Sequence, residues 1–255
     1  MNQINLSASI AGWDKTQHEP LFDSISALGY TGVEILPGEI FPEETWAHLT
    51  GAALFAGYLY QSWGLKLSAL AGVLEGFPPA LAAQDALLEE ILGGICRFGA
   101  ACRCNTLVMP CPPLFESEDL AAVHFLHRCG LLAAQYQCTI ALAPAKGQST
   151  KALCRRVKEM GLPGLSVCLD TGALLETGET VAALVEYLPQ ITHVRISEPD
   201  GGCIRPRGMH QELALLLKGL GYQGWVSVVM RQPEPGQTPA MQDALRRLAE
   251  VFETI

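Results

Sequence analysis

The chain has 255 residues, 49% of them hydrophobic and 17% charged, and a formal net charge of −9. This composition excludes a largely disordered chain, and the acidic balance speaks against nucleic acid or an anionic membrane as partner. No apolar run reaches the roughly 18 residues of a membrane span. Met1 to Ser9 lacks the basic and apolar regions of a secretory signal, so the expected setting is cytoplasmic. The cysteines number nine, an odd count, and most sit in apolar runs, as Cys138 and Cys168 do. That pattern fits reduced, buried thiols better than a disulfide framework. Cys102 and Cys104 have no second pair at zinc-finger spacing.

Short apolar runs recur along the chain, each followed by a stretch at helical spacing. In order they are 4–9, 33–36, 65–71, 106–110, 138–143, 165–169, 191–197 and 225–230. Helices are expected between them, with clear apolar stripes over 85–92, 118–136 and 238–252. Parallel strands need a crossover of a dozen or more residues, which helices supply. The expected fold is therefore an α/β chain forming one domain over 1–255, a (β/α)8 TIM barrel. A doubly wound open sheet is the alternative, weakened by the missing Gly-rich fingerprint after the first strand. Leu28-Gly29-Tyr30-Thr31-Gly32 before the second strand repeats as Leu220-Gly221-Tyr222-Gln223-Gly224 before the eighth. Both read as a helix end, a left-handed glycine and entry into a strand. Pro/Gly-rich stretches at 76–79, 198–208 and 232–239 follow strands, placing them on the barrel's C-terminal face, where barrel enzymes keep their sites.

Four phrases resemble the xylose isomerase-like barrels, a family of sugar and sugar-phosphate isomerases and epimerases. They are Gly32-Val33-Glu34-Ile35, Cys168-Leu169-Asp170-Thr171-Gly172, His193-Val194-Arg195-Ile196-Ser197-Glu198 and Gly224-Trp225-Val226-Ser227-Val228-Val229. The resemblance implies one divalent metal (Mn, Mg or Zn) at the barrel mouth. Its ligands would be a Glu, an Asp, a His and a Glu from the fifth to eighth strands, with the two Glu residues moving the substrate proton. Carried onto this chain, only the Asp is present, as Asp170. The other three positions fall on Ala143, Arg195 and Val229. The resemblance therefore implies a divergent member with a vestigial metal site and no expected cofactor. A guanidinium at a ligand position repels a divalent cation. An ion pair between Asp170 and Arg195, on adjacent strands, is the expectation that follows.

Candidate substrate-binding residues are Glu34, Asp170, His193, Arg195, Glu198 and Arg205, and candidate acid/base groups are Glu34, Glu198 and His210. Arg207 lies in the same loop as Arg205, and Lys146 and Arg231 follow the fifth and eighth strands as surface cations. His124 and His127, i and i+3 on a helix, read as surface histidines. Trp13, Trp46, Trp63 and Trp225 read as packing, with Trp13 near enough to the mouth to stack on a sugar. Two functions remain open: an isomerase or epimerase with a remodelled, metal-free site, or a noncatalytic barrel (a pseudoenzyme) binding a small carbohydrate or sugar phosphate. Either is compatible with a homo-oligomer.

Overall fold

Eight parallel strands pair in sequence order and the last pairs with the first, closing a barrel. The structure is a computed structural model that describes residues 4–40, 49–75, 85–112, 120–233 and 238–253. The strands are β1 (Asn5–Ser9), β2 (Gly32–Ile35), β3 (Lys66–Leu70), β4 (Thr106–Pro110), β5 (Thr139–Ala143), β6 (Leu165–Asp170), β7 (Ile191–Ile196) and β8 (Trp225–Val228). Each lies on one of the eight runs expected from the sequence. Closure rests on Asn5 opposite Trp225 and Ala8 opposite Val228, which replaces the open-sheet alternative. The stretch 76–79, the helix start at 118–119, Trp46 and residues 234–237 lie outside the described residues.

Helices return the chain between strands. They are α1 (His18–Ala27), the short α2 (Pro37–Ile40), α3 (Leu49–Trp63), α4 (Asp85–Ala101), α5 (Leu120–Gln135), α6 (Thr150–Met160), α7 (Thr171–Thr177), α8 (Gly208–Gly219) and α9 (Thr238–Glu253). A 3-10 segment, Val181–Gln190, takes the place of a full helix before β7. The main core lies between the strands and this outer layer, where residues such as Ile25, Leu59, Phe98 and Phe252 are fully buried or nearly so. The repeated Leu-Gly-Tyr phrase does the same work twice. Tyr30 N–H donates to Ile25 O and Tyr222 N–H to Leu217 O, over left-handed Gly29 (φ 83°) and Gly221 (φ 66°). Arg103 and Gln137 hold the left-handed conformation after α4 and α5, both at φ 57°. Without glycine that conformation costs about 1–2 kcal/mol per residue.

Strand alternation sends every second side chain into the lumen. On the β3–β6 side these are small: Ala69, Val108, Ala141, Ala143 and Cys168 form a buried cluster separate from the main core. On the opposite side they are polar, with Ser7 bonded to Ser227 and with Glu34 and His193 fully buried. The Trp225 ring lies against Gly32, whose absent Cβ would sit 2.9 Å from Trp225 Cε3 and 3.0 Å from Ser7 Cβ. Among the described residues no cysteine forms a disulfide, and eight of the nine are buried. Among the described residues, no helix is long and apolar enough to cross a membrane. Gly32→Ala should cost about 1–3 kcal/mol through overpacking against Trp225. Chemical denaturation checks this, and an unchanged midpoint would place the indole elsewhere.

Candidate functional site at the barrel mouth

Glu34 carries a carboxyl inside the barrel lumen. It sits on β2, fully buried, and two residues of β7 reach it across the lumen. Arg195 grips the carboxylate with both arms of its fork, Nη2 to Oε1 at 2.8 Å and Nε to Oε2 at 3.2 Å. His193 Nε2 lies 2.8 Å from Oε2. Burial alone would raise the Glu34 pKa. The Arg195 charge and the His193 hydrogen bond outweigh it and hold the carboxyl far below its usual range. An ionised carboxylate only accepts hydrogen bonds, so His193 donates from Nε2. His193 Nδ1 is buried without a hydrogen-bond partner among the described residues. Arg195 in turn is pushed up: burial disfavours its charge, and the Glu34 carboxylate more than restores it.

The expected Asp170–Arg195 ion pair is not formed. The two are Cα partners on adjacent strands, but Arg195 turns to Glu34 instead. Asp170 has other donors: it is the N-cap of α7, accepting from Gly172 N–H at 2.8 Å and Ala173 N–H at 3.4 Å, with the Ser197 hydroxyl also on Oδ1. A carboxylate so supplied needs no counter-ion, whereas the fully buried Glu34 does. Ser197 closes the end of β7 onto β6: its N–H donates to Thr171 Oγ1 and its carbonyl accepts from the same hydroxyl, both at 2.9 Å. The sequence reading passed over Ser197, although strand alternation two residues beyond Arg195 puts it at the mouth.

Glu198 and His210 are brought together in a different way. Glu198 accepts from Arg205 N–H at 2.9 Å and Arg207 Nη2 at 2.7 Å, folding the loop after β7 around itself. His210 lies in the first turn of α8, not in the loop, and is buried. Its Nδ1 accepts from Arg207 N–H at 3.1 Å. Burial lowers its pKa, with Glu198 opposing and Arg207 assisting. Arg205 contributes its backbone to Glu198 while its side chain is exposed. His124 and His127 are exposed. Trp13 is buried and its indole N–H donates to Met230 O at 2.9 Å, which makes it a packing residue rather than a stacking platform.

A cavity of about 180 Å³ opens between the ends of β5, β6 and β7, lined by Lys146, Asp170, Glu176, Ser197 and Glu198 among others. Lys146, expected at the surface, is exposed and also lines this cavity. Among the described residues, no group of three or more His, Cys, Asp or Glu side chains is arranged to hold a metal ion. Ala143 ends β5 and Val229 follows β8, neither offering a donor side chain.

No protein-family model matches the sequence, and no curated protein matches it by sequence. Solved structures match over nearly the full length. The 3-keto-D-glucoside 4-epimerase of E. coli superposes with a TM-score of 0.72 at 18% identity, covering 96% of this chain and 99% of its own. A xylose isomerase domain protein from Alicyclobacillus acidocaldarius gives 0.73 at 17%, covering 98% and 97%. The fold is that of the xylose isomerase-like barrels. A D-psicose 3-epimerase from Clostridium cellulolyticum H10, solved with D-tagatose, has this barrel too, with a TM-score of 0.73 at 13% identity over 98% and 100%. At these identities the likeness is one of fold, and xylose isomerase-like barrels must be told apart by the residues at the mouth.

Removing Arg195 alone leaves a buried carboxylate without its counter-ion and with only the His193 hydrogen bond, so Arg195→Met should cost about 3–5 kcal/mol. The double change Glu34→Gln with Arg195→Met should recover most of that loss. Urea unfolding of the two variants checks the pairing, and additive losses in the double variant would refute it.

Proposed function

We propose that this protein binds a small, uncharged carbohydrate at the barrel mouth and does not carry out metal-assisted proton transfer there. The observation that carries the reading is the bidentate Arg195–Glu34 pair. It occupies a ligand position with a permanent cation, and it commits the best-placed carboxylate of the lumen. A proton-abstracting base works best with a pKa near the operating pH, and Glu34 is held far from that. Glu198 has both oxygens engaged by the loop it organises. His210 Nδ1 already accepts a backbone N–H, which leaves the proton on its buried Nε2. None of the three acid/base candidates is free to abstract a proton.

The donor set does not fit a divalent ion either. Hard or borderline cations want several carboxylate or imidazole ligands. Asp170 alone stands at such a position, and its Oδ1 already takes two N–H groups and the Ser197 hydroxyl. The mouth cavity sets three carboxylates (Asp170, Glu176 and Glu198) against one ammonium, Lys146. That balance favours hydroxyl groups over phosphate, so a neutral sugar is preferred to a sugar phosphate. The cavity lies below the roughly 300–1,000 Å³ of drug-sized sites, in keeping with a single small ring.

Calorimetric titration with D-glucose, D-fructose and D-glucose 6-phosphate, each with Mn2+ and with chelator, tests the reading. A neutral sugar should bind equally in both conditions and about tenfold more weakly to Asp170→Asn, while the phosphate ester binds less. In deuterated water, NMR should show no exchange of the bound sugar's carbon-bound protons. Stoichiometric Mn2+ at the mouth, or such exchange, would overturn the proposal.

A further inference from the structure

A cavity of about 580 Å³ lies at the other end of the barrel, where α3 and α4 run out and β3 begins. That is within the range of small-molecule sites. Its floor is apolar, made by the buried Leu65, Leu67 and Cys102. Its wall on α3 is small: Gly57 faces it, and a Cβ there would touch nothing within 4 Å. The rim carries two cations, Lys66 and Arg103, with the ring of Tyr60, which is 58% exposed. No carboxylate lines the cavity among the described residues, and neither cation forms an ion pair among them, in a chain whose net charge is −9. Arg103 also occupies the left-handed position that glycine fills at Gly29 and Gly221.

We propose that this N-terminal cleft binds a small amphipathic anion, a carboxylate or phosphate ester carried on a flat apolar body. The body would lie on the Leu65–Leu67 floor beside Tyr60, and the anionic group would take the Lys66 and Arg103 cations at the rim. A guanidinium binds carboxylate or phosphate oxygens in pairs, and an ammonium adds a point charge. Tyr60 offers a broad face to a planar ligand. The site is separate from the mouth and does not depend on what binds there.

Phenyl phosphate is a suitable probe, with phenol as its neutral counterpart and inorganic phosphate for the anionic group alone. Two substitutions remove the site without harming the fold. Arg103→Gly deletes a cation and relieves the left-handed backbone. Gly57→Leu fills the cleft and suits a helix better than glycine. Calorimetry at low ionic strength should show one phenyl phosphate per chain, with phenol and inorganic phosphate each about tenfold weaker or worse. Both variants should melt no lower than the parent yet lose about tenfold in affinity, while Asp170→Asn at the mouth leaves it unchanged. Undiminished binding to Arg103→Gly and Gly57→Leu, loss of binding in Asp170→Asn instead, or no binding to the parent would each overturn the proposal.

Discussion

A carboxylate buried in the barrel lumen must be neutralised, and much of the mouth is arranged by that demand. Glu34 has no access to water, so its charge is tolerable only with a partner of opposite sign and good hydrogen-bond geometry. Arg195 and His193 supply both, on alternate inward positions of a single strand. They approach from β7, which is separated from β2 by β1 and β8, so the pair ties together two strands that are not neighbours in the barrel. The small side chains of β3 to β6 leave room for this crossing. Once Arg195 is committed to Glu34 it is unavailable to Asp170, and Asp170 is satisfied locally by the start of α7 and by Ser197.

The same commitment shapes what the mouth can do chemically. Acid/base chemistry at neutral pH needs groups whose proton affinities are poised near 7. Here the pairings drive the groups away from that range: Glu34 down by the Arg195 charge and the His193 hydrogen bond, His210 down by burial. Glu198 is spent holding the loop after β7 in shape. What remains open to a ligand is a compact, mostly acidic cavity lined by the Ser197 hydroxyl and the Asp170, Glu176 and Glu198 carboxylates. The opposite end of the barrel presents the reverse chemistry, cations over an apolar floor, so the two ends favour ligands of different kinds.

The fold is legible in the sequence because strand and helix periods alternate eight times and the two Leu-Gly-Tyr turns repeat. The absence of ligand-type residues at Ala143, Arg195 and Val229 is legible too, since it depends only on residue identity. The partner of Arg195 is not. Adjacent strands put Asp170 and Arg195 side by side, and from order alone the nearer carboxylate looks like the partner. A long guanidinium can instead cross the lumen, and which acid wins depends on which lacks other donors. Asp170 stands directly before Thr171-Gly172-Ala173 at a helix start, an N-cap arrangement that supplies its own N–H groups. That signal is present in the sequence and weighs against the ion pair. The cleft beside α3 has no such signal, because it is assembled from the ends of three separated elements.

The state of Glu34 is the central physical claim. A carboxyl whose folded pKa is depressed stabilises the fold above its ordinary value, about 4.3, and loses that contribution only as pH falls toward the folded value. Carbon-13 NMR of the Glu34 side-chain carboxyl, followed from pH 7 downward, reads this directly. The structure requires the signal to stay at its ionised position through pH 4 for as long as the protein remains folded. A titration midpoint near 4.3 or above would mean that Arg195 does not hold the charge, and the account of the mouth built on that pair would fail.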